Sequence, residues 1–257
     1  MTDAHCHVSC NDPSVREFLI GRDFVGVHPW AAIGKRAADP LIPHPSSLIP
    51  LPSSLIPLPS SLIPPLGIGE IGLDRLKEKT ISPRMREVFE SQLKMAIECR
   101  CPVVLHGAKC WGQVVETVKR VRSEVEDWRS EVKGQRSEVK GQRSEVEGQG
   151  AEVGGMGMTF LFHGFSRSDG LLPDIVALNG YISVGPAVLN DHAVNYRELV
   201  KKIPLDRLLV ETDRTPENAA TCPSIREVLA KTAELRGLSP EELERRTDEN
   251  ASAFISR

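Results

Sequence analysis

Aromatic residues are scarce in this chain: Phe, Trp and Tyr together make up 5% of its 257 residues. An excess of one charge sign is missing as well, since 32 Lys and Arg meet 35 Asp and Glu for a formal charge of −3. No global basic field exists to hold nucleic acid non-specifically, so any such contact has to be local. No apolar run approaches the roughly 18 residues of a membrane-spanning helix. The opening MTDAHCHV lacks the basic-then-apolar pattern of a secretory leader. Cys6, Cys10, Cys99, Cys101, Cys110 and Cys222 are scattered without a CxxC pair, which fits reduced thiols rather than a disulfide framework or a four-cysteine zinc site. These absences predict a cytoplasmic chain with no membrane association and no obligate protein partner.

What is present suffices for a sizeable core: 40% of residues are apolar before the 20 glycines are added. Two tandem repeats interrupt that core. From Pro45 the chain reads PSSLIPL, PSSLIPL, PSSLIP, and nine of the 19 prolines fall between Pro40 and Pro65. Proline at that density removes helix and central strand alike, leaving polyproline II or disorder. From Arg122 to Gln149 the chain reads RSEVEDW, RSEVKGQ, RSEVKGQ, RSEVEGQ. Each unit offers one Val and no regular second apolar position, whereas a coiled-coil seam needs both. Gly134, Gly141 and Gly148 each cost a helix about 1 kcal/mol relative to Ala. A solvated, frayed helix or a flexible segment is expected. Residues 41–65 and 122–155 therefore read as flexible insertions in one domain spanning 1–257.

The remaining residues, about 200, alternate strand and helix signals, which predicts βαβ units and a parallel sheet and leaves room for a compact (β/α) barrel near its lower size limit. Strands are expected at Thr2–His5, Phe24–His28, Gly67–Gly72, Pro102–His106, Thr159–Phe165, Tyr181–Val184 and Arg207–Thr212. Helices are expected at Pro83–Cys99, Trp111–Val121, Asn195–Lys202, Ile225–Leu235 and Pro240–Phe254. Ser239-Pro240-Glu241-Glu242 supplies an N-cap, a proline at the first helical position and acid in the first turn. The polar residues gather at the C-terminal strand ends, where parallel α/β folds place their sites: His5 and His7, Glu70, His106, His163 and Asp213. Alternation along a strand puts the rings of His5 and His7 on one side, with Cys6 turned away. Imidazoles with carboxylates suit Zn, Mn, Fe or a Mg-like ion.

TDAHCHV, GVHPW, IGEIGLD, FHGFSRS and LLVETD follow one another in that order. Together they resemble the TatD family of metal-dependent DNases within the amidohydrolase superfamily. The resemblance covers everything except the two repeats. It implies a distorted TIM-like (β/α) barrel with one divalent ion on His5, His7 and Asp213, a second on His106 and His163, and Glu70 bridging or close to both. The ions would be Zn, Mg or Mn, and Asp213 and Glu70 would be the catalytic carboxylates, Asp213 orienting the attacking water and taking its proton. His28 is expected to meet substrate phosphate or back a ligand, and Asp3 and Glu211 to orient ligand imidazoles from behind. The activity implied is phosphodiester hydrolysis, most often of DNA in the 3′→5′ direction, in which two ions stabilise the attacking and leaving oxygens.

The chain departs from the family at Gly107, Ala108 and Lys109, at Gly164 and Arg167, and at Arg214 and Thr215. None of these is a ligand position, so the departures bear on substrate preference. Taken singly, each site residue also has a plain structural use: a strand histidine in a core, Asp213 as an N-cap before Thr215-Pro216, Asp74 as a helix start or loop contact, His44 and His192 in loops. Two other functions fit parts of the pattern. One is amidohydrolase-type hydrolysis of a small molecule, disfavoured because Glu70 stands where a carboxylated Lys would bridge. The other is a catalytically weak metal-binding scaffold whose repeats recruit partners, disfavoured because all six ligand candidates are retained.

Overall fold

Six strands form one wholly parallel sheet in the order β3 (Phe24–Val25), β4 (Gly67–Asp74), β5 (Val103–Ala108), β6 (Phe160–Phe162), β7 (Gly180–Val184), β8 (Leu208–Val210). A further parallel pair, β1 (Thr2–Cys6) and β2 (Arg16–Leu19), completes the circuit. The computed structural model describes residues 1–32, 65–77, 79–140, 158–166 and 169–256. On one side of the pair, Ile20 bridges to Phe24. On the other, the Asp213 amide donates to the His5 carbonyl at 3.0 Å. The result is the distorted TIM-like barrel that the family resemblance implies.

Three strands or α-helices escaped sequence reading, one of them the four-residue α1 (Pro29–Ala32). Strand β2, Arg-Glu-Phe-Leu, is short and mixed in polarity, and it follows β1 through residues 7–15 with no helix between them. Helix α4 (Leu172–Ala177) has only six residues. The other helices carry their own punctuation. In α2 (Pro83–Cys99), Ser82 accepts from the Met85 amide, and Arg100 closes the helix in the left-handed region. In α6 (Ile225–Arg236), Ser224 and Glu227 form a capping box, and Gly237 ends the helix at φ 65°. In α7 (Pro240–Ile255), Ser239 caps and Pro240 leads. Short α1 (Pro29–Ala32), long α3 (Trp111–Lys140) and α5 (Val194–Lys202) complete the set.

Helix α3 runs Trp111–Lys140, well past the expected end at Val121 and through the first repeat units. Its barrel-facing stripe is Val114, Val118, Val121 and Val125, all buried, while Trp128 is 57% exposed. The stripe anchors the helix, and propagation from an existing turn is easier than nucleation. Residues 141–155 of that repeat lie outside the described residues, as does the proline repeat 41–65 apart from Pro65. Among the described residues no helix is long and apolar enough to cross a membrane.

The barrel interior gathers Ala4, Phe18, Phe24, Val104, Leu161, Tyr181 and Leu209, sealed from below by Phe254 of α7. Inward positions recur every second residue along a strand. The next ones above Val104, Leu161 and Leu209 are therefore His106, His163 and Glu211. The apolar plug thus sets the depth at which polar side chains begin. Strands β1 and β4 break the period: Asp3–Cys6 spans the partners Glu17–Leu19, and Ile68–Ile71 spans Val103–Leu105. Each has one extra residue, a bulge that re-aims a side chain, and the strands concerned are those that carry His5 and Glu70.

Candidate metal centre

Glu70 is the hub. Its Oε1 lies 2.5 Å from His106 Nδ1, 2.6 Å from His163 Nε2 and 3.6 Å from His28 Nε2. Its Oε2 lies 3.5 Å from His7 Nε2 and 3.7 Å from His5 Nε2. Asp213 Oδ1 faces the same two rings at 3.5 Å and 3.7 Å. All six expected ligands thus meet at the mouth, and His28 joins them. Three donor triads fall within 4.8 Å: His5, Glu70, His163; His5, His7, Asp213; and His28, Glu70, His106. His163 stands between the two groups, stacked on His5 at 3.9 Å and 3.3 Å by Nε2 from His106 Nδ1.

Glycine allows Glu70 to reach this point. A Cβ on Gly72 would lie 2.0 Å from the His106 carbonyl oxygen, and one on Gly69 would lie 2.6 Å from Val104 Cβ. Only glycine lets β4 press against β5 on both sides of the carboxylate. Gln92, buried on α2, accepts from the Val27 amide at 2.6 Å and donates to its carbonyl at 3.2 Å, fixing the segment that presents His28. At the other seam, the Arg214 carbonyl accepts from the His7 and Val8 amides at 2.8 and 3.1 Å. Asn218 bridges the Asp213 carbonyl and the Thr215 amide. Asp213 is therefore a strand-end loop residue, not a helix N-cap; the next helix is capped by Ser224.

Two carboxylates back two of the imidazoles. Glu211 Oε1 is 3.7 Å from His163 Nδ1 and is itself held by the Gly164 amide at 2.8 Å, with Ser183 Oγ donating to Oε2. Asp74 Oδ2 is 2.8 Å from His106 Nε2 and accepts from Trp30 Nε1 at 2.8 Å. Asp74 contributes more than the loop contact expected of it, and the signal was available: Glu70, Gly72 and Asp74 alternate on one face of a strand. Asp3 backs no ring. Its carboxylate accepts from the Thr212 amide (3.0 Å), Thr212 Oγ1 (2.6 Å) and the His5 amide (3.3 Å), which stitches β1 to the end of β8. Of the loop histidines, His192 is exposed and His44 lies outside the described residues, as does Arg167.

Electrostatics follows this geometry. Burial alone would raise the Glu70 carboxyl, but the His163 charge and hydrogen bonds from His106, His163 and His28 hold it well below the usual range. Burial disfavours a charged His163, yet Glu70 and Glu211 keep its pKa well above the ordinary histidine value. Burial opposes Asp74 too, and hydrogen bonds from His106, Leu76 and Trp30 bring it down to about 2. Asp213 resists burial through His5 and His163 and stays below the usual carboxylate value. His7 moves the other way, lowered by burial and by His5.

The donor set fits divalent cations. Both ring nitrogens of fully buried His5 lack a hydrogen-bond partner, as does Nδ1 of His163. An orphaned buried polar atom costs about 1–3 kcal/mol, and a cation accepting the lone pair of His5 Nε2 removes part of that cost. The surrounding N/O donors, with no thiolate among them, suit Zn, Mn or Mg. Two cavities open on the cluster. One of about 710 Å³ includes His106, Lys109, His163 and Asp213 in its lining. One of about 980 Å³ includes Asp169, His192, Tyr196, Lys202 and Asp213.

Comparison with known proteins bears on the fold and the family. A crystal structure of YjjV, a TatD homologue from Escherichia coli K12, superimposes with a TM-score of 0.62 at 18% identity, covering 98% of this chain and 96% of that one. An uncharacterized metal-dependent hydrolase, YabD of Bacillus subtilis (strain 168), is 30% identical over 197 residues, 74% of this chain and 65% of its own. A protein of Pantoea vagans (strain C9-1) named 3'-5' ssDNA/RNA exonuclease TatD is 28% identical over 202 residues, with the same two coverages. The chain spans less than two thirds of the length of these curated relatives. The model of the TatD related DNase family matches residues 22–256, beginning after His5 and His7. The chain belongs to the TatD related DNase family.

Proposed function

We propose that this protein is a divalent-metal-dependent hydrolase that cleaves phosphodiester bonds of nucleic acid, most readily DNA, at a binuclear site. The observation that carries the reading is Glu70: its two oxygens face two different sets of imidazoles. His5, His7 and Asp213 would hold one ion, His106 and His163 the second, with Glu70 between them. Bound divalent ions supply Lewis-acid polarisation and make water nucleophilic near neutral pH.

The chain's own residues do the rest. Asp213, ionised and at the open edge of the cluster, orients the attacking water and takes its proton as the oxygen adds to phosphorus. Asp74 holds His106 in one tautomer and orientation through its 2.8 Å hydrogen bond, and the Glu211 carboxylate lies 3.7 Å behind His163 Nδ1 as a countercharge. His28, 3.6 Å from Glu70 Oε1, has its Nδ1 occupied by the Trp30 amide at 3.1 Å. Its Nε2–H is thereby directed into the site as a donor to a phosphate oxygen. The 3′→5′ direction belongs to this proposal through likeness to the Pantoea vagans relative, whose name carries it.

Metal analysis of the purified protein combined with hydrolysis of end-labelled single-stranded DNA tests the reading. Two ions per chain are expected, with activity lost to a chelator and restored by a divalent salt. One ion at saturation would remove the binuclear site, and no cleavage with any divalent ion would remove the phosphodiesterase.

A further inference from the structure

Among the described residues, four large hydrophobic side chains stand exposed: Trp30, Leu76, Trp128 and Val194. Trp128 lies out on α3, but Trp30 follows β3 and Leu76 follows β4, on the side of the barrel that carries the metal centre. Trp30 is 44% exposed and yet closely held. Its indole N–H donates to Asp74 at 2.8 Å, its backbone amide donates to His28 Nδ1 at 3.1 Å, and the His28 ring meets it edge-on at 5.0 Å. An exposed aromatic ring fixed at three points presents a flat surface whose ordering cost is already met by the fold. Over that ring, 3.7 Å from its centroid, lies the ammonium of exposed Lys77, which has no carboxylate within ion-pair distance among the described residues. Leu76, next in sequence, lines the cavity that also holds His106 and Lys109.

We propose that Trp30 and Lys77 form a nucleotide-recognition platform beside the metal centre. An unpaired base stacks on the indole, and the ammonium it displaces from the ring pairs with the adjoining phosphate. The inference rests on the nucleic-acid reading above and deepens it, because a stacking platform requires a base free of its complement. Stacking on an aromatic ring is tolerant of sequence, and an unpaired lysine supplies the charge that a single strand carries on every residue. The network also places the platform at the right distance from the chemistry. Trp30 and His106 share one oxygen of Asp74, and His106 touches Glu70, so a base on the ring lies within a nucleotide's reach of the ligand cluster.

The test is equilibrium binding of short cleavage-resistant phosphorothioate strands to the metal-loaded full chain, comparing oligothymidylate with a fully abasic strand of equal length. Wild type binds the base-bearing strand more tightly, and Trp30→Ala erases that preference, weakening oligothymidylate about fivefold or more while scarcely changing the abasic strand. Trp30→Phe keeps an aromatic face without the N–H and retains most of the preference. Lys77→Ala weakens both strands alike and reduces the slope of log affinity against log salt by about 0.7, the share of one phosphate contact on a single strand. Equal weakening of both strands by Trp30→Ala, or loss of the preference in Trp30→Phe, would show that Trp30 acts through Asp74, and the platform would fall. Cleavage by wild type without base preference overturns the platform alone. Base-selective binding without cleavage under any divalent ion overturns the hydrolase and leaves the platform standing.

Discussion

The two halves of the ligand cluster are built differently. On the β4–β6 half, His106 and His163 each have a carboxylate behind them, and one Glu70 oxygen holds both rings within 2.6 Å. On the β1–β8 half, the shortest approach of a His5 or His7 ring nitrogen to a carboxylate is 3.5 Å, and His5 has no hydrogen-bond partner for either ring nitrogen. The first half is pre-organised by the protein's own hydrogen bonds. The second is aligned through the β1–β8 seam, where the Asp213 amide meets His5, the His7 amide meets Arg214 and the Asp3 carboxylate ties His5 to Thr212. Under the binuclear reading proposed above, one ion would sit against a rigid wall and the other where its ligands have room to close.

Four experiments break or sharpen that contrast. Glu70→Gln removes the group common to both halves, so both ions and activity should go, a loss on the order of 10⁴-fold; residual binding of two ions would show that the halves are independent. Asp213→Asn acts on the open half alone. The change is nearly isosteric, so a melt monitored by circular dichroism should be unchanged while kcat falls at least about 10²-fold at saturating metal. Near-wild-type turnover with both ions bound would make Asp213 structural. Asp74→Asn acts on the rigid half, leaving His106 without its acceptor carboxylate, and should weaken that ion or the activity by about 10–100-fold. Stepwise metal titration should show the weaker step alone displaced, and equal displacement of both steps would dissolve the distinction. The smallest effect belongs to the repeat: deleting residues 129–142, two heptads beyond the last described valine of the α3 stripe, should move Tm by less than about 4 °C. A larger fall would mean that the repeat packs on the barrel.

The local parts of this architecture were legible because each is signalled over a few residues. Helix α2 begins and ends at Pro83 and Cys99 as Ser82-Pro83 and its apolar spacing imply, and α6 and α7 differ from expectation by a single residue at their ends. What escaped were elements too short or too mixed to show a period, β2, α1 and α4, and the run of α3 to Lys140, where anchorage at Val125 outweighs the glycine expected to break it. At the site, the six ligand candidates could be named from motif order and strand ends. Gln92 and Trp30 were not, because what matters about them is which distant residue they touch, whereas Asp74 was signalled by sharing a strand face with Glu70.

Residue type and order by themselves determined which side chains could bind a cation, which strands would carry them, and that a parallel barrel would collect them at one end. Each of these follows from periodicities of two or 3.6 residues that need no knowledge of the partner strand. Tertiary structure alone decided how the donors divide. The bulges in β1 and β4 turn His5 and Glu70 inward, the glycines at 69 and 72 let β4 approach β5, and the β1–β8 seam brings residues about 200 positions apart to within 3.7 Å. Register between strands is set by the packing of the whole barrel, and no local signal carries it.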